Sequence, residues 1–343
     1  MSLPLDSALT HLSRGAEARR ADPRLEQRLS DVQRLFAEDL GKVEAVLAEA
    51  VGEGEWPGTA AAAHLVKNGG KRVRPLTLGL AARCFGAVTP AVSELSAVVE
   101  LVHSATLLHD DVVDEGMERR GVPTSRRLWG NGVSVLAGDL LLVNALERTQ
   151  RHAPALLTAL ITTLRRLVDG EIVQLRGRTE LDVSEATYER ILRDKTASLF
   201  AFAAESGALL GGADRAGQLA LAEFGEALGV AFQLVDDVID YSGEATGKAL
   251  FADLSEGKLT LPLVLAAKDT PDLEEKIRRI HAGDGDLVRE VSERVVSSGA
   301  CDEVRRRAKA FSEQAVSALR RAPETPARQL LEVVARELVS RVS

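Results

Sequence analysis

The residues most able to do chemistry are two sets of aspartates. In HDDVVDEGMERRGVPT (His109 to Thr124), Asp110 and Asp114 stand at i and i+4, and Asp111 flanks them. On a helix, Asp110 and Asp114 share one face. Like charges at that spacing destabilise a helix. A hard divalent cation bound by oxygen relieves the repulsion, and Mg²⁺ typically takes one or two carboxylates plus water and phosphate oxygens. One such set reads equally well as a solvated acidic face. FQLVDDVIDY repeats it, with Asp236, Asp237 and Asp240 at the same spacing and again in apolar sequence. Two matched sets of carboxylates in apolar surroundings are costly without a cationic partner. The simplest common ligand is a diphosphate with several Mg²⁺ ions.

Cations complete the pattern. GGKRVRP holds Lys71, Arg72 and Arg74. Arg119 and Arg120 follow the first aspartates, and Lys195-Thr196, Lys248 and Lys258 lie around the second. Arg and Lys are the usual phosphate binders. His103 lies one heptad before Asp110, and Gln233 one turn before Asp237. Asp139 reads as an internal packing group. Gly243-x-x-x-Gly247-Lys248 is one spacer short of a P-loop and has Ala249 where Ser or Thr should bind Mg²⁺.

The elements that must carry these groups are helices. Val32, Leu35, Phe36, Leu40, Val43, Val46 and Leu47 form one stripe of period 3.6 over Val32–Val51. Similar stripes run over Ala91–Asp114, Val133–Arg148, Ala153–Leu175, Leu219–Tyr241 and Asp286–Ala322. No convincing alternating strand occurs, and helix-like sequence follows the one Asn-Gly pair, Asn131-Gly132. The breakers Gly52–Gly58, Asn68–Gly70, Gly116–Pro123, Gly211–Gly212 and Gly283–Gly285 are short, as helix connections are. No internal repeat suggests a solenoid. The pattern predicts an all-α fold: residues 1–30 as an N-terminal extension and 31–343 as one catalytic domain.

Composition limits the alternatives. The chain has 343 residues, a net charge of −8 and only 3% aromatics. The acidic balance argues against a general nucleic-acid binder, and the core must be mainly Ala, Leu and Val. Cys84 and Cys301 sit in no metal or disulfide spacing and read as small buried hydrophobes. The N-terminus has no apolar core with a cleavage site. No apolar run reaches the roughly 18 residues of a membrane span, and the nearest, Ser134–Leu146, is broken by Asp139. A cytoplasmic protein is expected.

Taken in order, GGKRVRP, ELVHSATLLHDDVVDEGMERRGVPT, GDLL, GEIVQL, KTASLF, FQLVDDVIDY and DLSEGKLTLP resemble the trans-type polyprenyl diphosphate synthases, in particular their longer-chain, octaprenyl-like members. The resemblance runs from about Val32 to the C-terminus. It implies the single-domain isoprenoid synthase fold around a central cavity, a homodimer, and the head-to-tail elongation of geranyl, farnesyl or geranylgeranyl diphosphate by isopentenyl diphosphate with release of diphosphate. By the same resemblance Asp110, Asp114 and Asp236 are the principal Mg²⁺ ligands, with three ions per site. Asp111, Asp237 and Asp240 support them directly or through water. Arg119, Lys195 and Lys258 hold the allylic diphosphate, with Lys248 near. Lys71, Arg74, His103 and Arg120 hold isopentenyl diphosphate, and Thr196 and Gln233 face the developing allylic cation.

Farnesyl-producing relatives often carry a bulky aromatic four or five residues before the first Asp. Here Thr106 and Ala105 are small, which implies a longer product, near octaprenyl. Leu101 and Val98 would then set the floor. The family's usual GKxxGxDL reads TGKALFADL here, with Phe251 in place of Gly. A shorter-chain synthase and a terpene cyclase are the alternatives. A cyclase usually has a mixed second metal motif, whereas Asp236–Asp240 repeats the first. A regulatory subunit would typically have lost both motifs.

Overall fold

The computed structural model describes residues 38–52, 56–68, 70, 72–119, 121–242, 251–268 and 270–340. Lys71, Arg120 and Lys248 lie outside the described residues, as do the extension at 1–30 and Val32, Leu35 and Phe36.

Helices dominate. Pro57, Pro90, Pro271 and Pro326 each open one, where proline's missing N–H and fixed φ cost nothing. The Ser184 hydroxyl caps the helix Glu185–Ile191 by accepting from Thr187 N at 3.3 Å. The stripes appear as Pro90–Val113, Asn131–His152, Leu157–Glu180 and Arg215–Ser242. The stripe over Asp286–Ala322 is two helices, Val288–Ser297 and Ala300–Leu319, separated by Gly299 in the left-handed region at φ 80°. Its hydrophobic period survives the break because Val291 and Val295 of the first piece and Val304 and Ala308 of the second are buried in the same core. One small ladder also occurs, Glu118–Arg119 paired antiparallel with Val122–Pro123. It is too short to show as alternation.

Contacts divide the chain into two compact units. One comprises Met1–Leu160, Ala203–Leu221 and Arg321–Leu331; the other comprises Ile161–Phe202, Ala222–Arg320 and Glu332–Ser343. In the first, Pro90–Val113 packs against Asn131–His152 and Val73–Phe85. Its buried side includes Val98, Leu101, Ala105 and Leu108, all 0% exposed. In the second, the core gathers Leu192, Leu234, Val238, Leu263, Val264 and Ile277. The buried set is mainly Ala, Leu and Val, with Phe200 and Phe224 the large aromatics fully enclosed. Cys84 and Cys301 are buried free thiols.

Among the described residues, two helices are by length and composition long and apolar enough to span a membrane, Pro90–Val113 and Arg215–Tyr241, where Ser134–Leu146 had looked the nearest. Their most apolar windows are 72% and 61% buried within the fold, as core helices are.

Candidate active site

The first aspartates close the helix Pro90–Val113, with Asp114 as its C-cap. His103, Thr106, Asp110 and Asp114 are half-buried and follow one stripe. The Thr106 hydroxyl donates to the His103 carbonyl at 2.8 Å. Ala105 is fully buried on another side of the helix. Of the two positions marked for chain length, Thr106 is the one that shares the face of Asp110.

Asp111 points elsewhere. It is 2% exposed. Arg119 donates to its Oδ1 through Nε at 2.9 Å and Nη2 at 2.8 Å. The chain returns for this contact through Glu115, in the left-handed region at φ 54°, and the small ladder. Burial pushes the Asp111 carboxyl up from its ordinary value, and Arg119 opposes the shift. Its Oδ2 is buried without a hydrogen-bond partner. Asp111 is therefore buried and anchors Arg119, whereas Asp110 and Asp114 are half-buried. Consecutive residues on a helix project about 100° apart, so Asp111 leaves the helix in a different direction from Asp110 and Asp114. Asp139 is exposed and not internal; it meets His109 Nε2 at 3.4 Å, with 55% of its side chain accessible.

Arg74 is half-buried in the first turn of Val73–Phe85. Arg72, just before that helix, is 7% exposed and adopts φ 50°. It donates to Glu100 at 2.6 Å, to Glu44 at 2.7 and 3.3 Å, and to the Val66 carbonyl at 2.9 Å. This cation is a structural clamp.

In the second unit, Lys195 and Thr196 lie on a single π-helical turn, Leu192–Ala197, a feature often found at functional sites. Two glycines permit it. A Cβ at Gly170 would stand 2.8 Å from Lys195 N, and one at Gly229 would stand 2.6 Å from the Ala197 Cα. Lys195 pairs with Glu171. With its amide oriented to satisfy its neighbours, Gln174 accepts from Lys195 at 3.3 Å and from Arg178 at 3.1 Å. Glu171, Gln174 and Arg178 were not singled out from the sequence, although GEIVQL carries the first two.

Asp236 is exposed, whereas Asp237 and Asp240 are buried. Asp237 accepts from Tyr188 Oη at 2.6 Å, Gln233 Nε2 at 2.9 Å and Leu261 N at 3.0 Å. Gln233 in turn accepts from the Thr196 hydroxyl at 3.0 Å. Burial pushes the Asp237 carboxyl up to about 7 despite these donors. Asp237 is thus set apart from exposed Asp236 within the motif: it accepts three hydrogen bonds from the protein and is tied into the second unit. Tyr188 is a further residue that sequence reasoning missed. A buried Tyr needs a partner for its hydroxyl, but nothing in the sequence says which. Asp240 accepts from Asp253 N at 3.3 Å, and Lys258 pairs with Glu256 at 2.6 Å. Phe251 holds φ 62°, the glycine-like conformation of the residue it replaces, and its ring lies 6.0 Å from that of Tyr241.

Among the described residues, no three His, Cys, Asp or Glu side chains form a ready-made metal cage. Half-buried Asp110 and Asp114 in the first unit, and exposed Asp236 in the second, each offer hard oxygen donors. Carboxylates of this kind suit a hard divalent ion that completes its shell with water and substrate phosphate.

Residues 58–297 match the family model described as Polyprenyl synthetase. The chain belongs to the polyprenyl synthetase family. It is 36% identical over 319 residues to the octaprenyl diphosphate synthase of Escherichia coli (strain K12), covering 91% of this chain and 99% of that one. A solved polyprenyl synthase from Caulobacter crescentus CB15, complexed with calcium and isoprenyl diphosphate, superposes with a TM-score of 0.85 at 38% identity. It covers 90% of this chain and 97% of the other. A decaprenyl diphosphate synthase from Rhodobacter capsulatus gives 0.84 at 36% identity, over 92% and 99% of the two chains. This polyprenyl synthetase therefore has the all-α isoprenoid synthase fold and is a prenyl-elongating enzyme, as the ordered motifs implied.

Proposed function

We propose that this polyprenyl synthetase elongates geranyl, farnesyl or geranylgeranyl diphosphate with isopentenyl diphosphate in the trans configuration, to a product near octaprenyl. The observation that carries the reading is the face of Pro90–Val113 that ends in Asp110 and Asp114 and bears Thr106 and His103 with no aromatic. One isoprene unit of roughly 4–5 Å passes about three helix positions at 1.5 Å per residue. A chain growing from Asp110 therefore meets Thr106 first. The long-chain products in the names of similar enzymes support the same length.

Asp110, Asp114 and Asp236 would hold Mg²⁺, three ions with substrate bound. The metal would neutralise the leaving diphosphate. The chain's own cations add to this. Arg119 is held in one orientation by Asp111; with Lys195, Lys258 and Lys248 it takes the allylic diphosphate. Arg74, His103, Lys71 and Arg120 take isopentenyl diphosphate. Oriented donors and cations of this kind stabilise departing charge more than mobile ones do.

A homodimer is part of the reading. Leu136, Leu140 and Val143 are exposed along one face of Asn131–His152 in the first unit. Ile161, Val168, Ile172 and Leu175 are exposed along one face of Leu157–Glu180 in the second. Apolar stripes of that kind mark association surfaces.

The test is elongation by the purified protein with Mg²⁺, isopentenyl diphosphate and each of the primers, with products sized by mass spectrometry. Asp110→Ala and Asp236→Ala should each abolish turnover while the fold is kept. No elongation by folded protein with any primer overturns the reading, and a farnesyl end product overturns the length. Light scattering checks the dimer.

A further inference from the structure

The hydrogen bonds around Asp237 run in one direction. A backbone N–H and an amide NH₂ can only donate, so the carboxyl oxygens that face them accept. Leu261 N and Tyr188 Oη both donate to Asp237 Oδ2, at 3.0 and 2.6 Å. Asp237 Oδ1 receives the Gln233 NH₂ at 2.9 Å. With its nitrogen committed there, the Gln233 amide turns its oxygen to Thr196, and the Thr196 hydroxyl donates to it at 3.0 Å. A threonine hydroxyl has a single proton. Once that proton is directed at Gln233, Thr196 Oγ1 has only lone pairs to offer any other group.

We propose that Tyr188 and Asp237 are positioning residues that set this polarity, so that Thr196 presents lone pairs and not a proton to the reacting carbon. The proposal rests on the functional reading above and on the family resemblance, which implies that Thr196 and Gln233 face an allylic cation. An electron-poor carbon is stabilised by oxygen lone pairs and repelled by a hydroxyl proton. Burial strengthens the device: Asp237 is 2% and Thr196 8% exposed, and fixed dipoles act most strongly where water is excluded. The arrangement also gives Asp237 a different task from its neighbour Asp236, which is exposed.

Asp237→Asn is nearly isosteric but reverses the polarity. The new amide satisfies Tyr188 and Leu261 through its oxygen and turns an NH₂ toward Gln233, whose amide must then invert and push the Thr196 proton outward. We expect kcat to fall about a hundredfold, the scale of losing one preorganised electrostatic group. KM for both diphosphates, and calorimetric binding of Mg²⁺ with inorganic diphosphate, should stay within about twofold. The double variant Asp237→Asn/Gln233→Glu restores an acceptor facing Thr196 at unchanged total charge, and should recover about tenfold of the lost kcat. Tyr188→Phe removes one of the donors to Asp237 and should lower kcat about fivefold at constant KM.

A folded Asp237→Asn enzyme with kcat near wild type overturns the proposal. So does a loss of activity that follows weakened Mg²⁺–diphosphate binding, since Asp237 would then be a metal ligand, and so does a double variant no faster than the single one. If the wild-type protein elongates no primer, it is the functional reading that fails. If wild type elongates and these variants match it, only the polarity device fails.

Discussion

Glu100 offers the sharpest test of how the first unit is held together. Its carboxylate, 3% exposed, meets Arg72, 7% exposed, at 2.6 Å. The remaining Arg72 donors reach Glu44 and the Val66 carbonyl. Removing Glu100 leaves the buried Arg72 Nη1 without its acceptor while Glu44 still faces the guanidinium, which costs about 3 kcal/mol, the lower end for a broken buried pair. Glu100→Ala should therefore lower unfolding free energy by about that amount, read from urea midpoints at unchanged slope. Glu100→Gln keeps an acceptor and should cost about 2 kcal/mol, the scale of one hydrogen bond to a charged group. The double variant Arg72→Met/Glu100→Leu removes both charges. Glu44, 41% exposed at its side chain, can then turn to water. That variant should be more stable than Glu100→Ala by about 2 kcal/mol, because an apolar pair replaces a broken ionic one. Arg72 also sits in the left-handed region at φ 50°, a conformation costing about 1–2 kcal/mol that the clamp must offset. Loosening it should raise KM for isopentenyl diphosphate through Arg74 while leaving KM for the primer unchanged. A Glu100→Ala protein losing under about 1 kcal/mol would refute the reasoning, since Glu100 would then add little to the clamp.

Other perturbations discriminate between parts of the reading. Thr106→Phe should shorten the product with the fold intact, whereas Ala105→Phe, at a site 0% exposed, should also lower the melting temperature by overpacking; mass spectrometry and thermal melts read the two separately. Phe251→Gly relieves a left-handed residue at φ 62° but removes its contact with Tyr241; the opposing effects should leave stability within about 1 kcal/mol while proteolysis near 251 quickens. Glu185 has its carboxyl held below the ordinary value by hydrogen bonds from Arg307 and Lys268. The stability from this cluster is present above the unfolded carboxylate pKa and is lost as pH falls through the lower folded value. Glu185→Gln should flatten the acid limb of the stability profile, and an unchanged limb would exclude the cluster as a contributor. Burial pushes the Cys84 thiol up to about 11, so thiol reagents at pH 8 should label it only after unfolding.

Much of the architecture was legible along the chain. Helical periodicity located the helix that ends at the first aspartates and the one that carries the second set, because a 3.6-residue repeat is a local property. The break at Gly299 was not legible, because the apolar residues keep their period on both sides of it. The motifs in order were sufficient for the family, since each is a run of neighbours whose types and spacing can be read without coordinates.

The roles within each motif were another matter. DDxxD marks Asp110 and Asp111 alike, and Asp236 and Asp237 alike, yet one of each pair is turned inward and the other is not. GGKRVRP does not distinguish Arg72, the buried clamp, from Arg74. By itself the sequence determined the helices, the reaction class and the short segments that carry the charge. Only the tertiary structure decided which charges are available, because that depends on partners far along the chain. Asp237 is bound by Tyr188, 49 residues before it, and by Leu261 N, 24 residues after it. A carboxylate that accepts three hydrogen bonds from the protein is committed to the fold in a way its exposed neighbour is not, and no local pattern records which donors reach it.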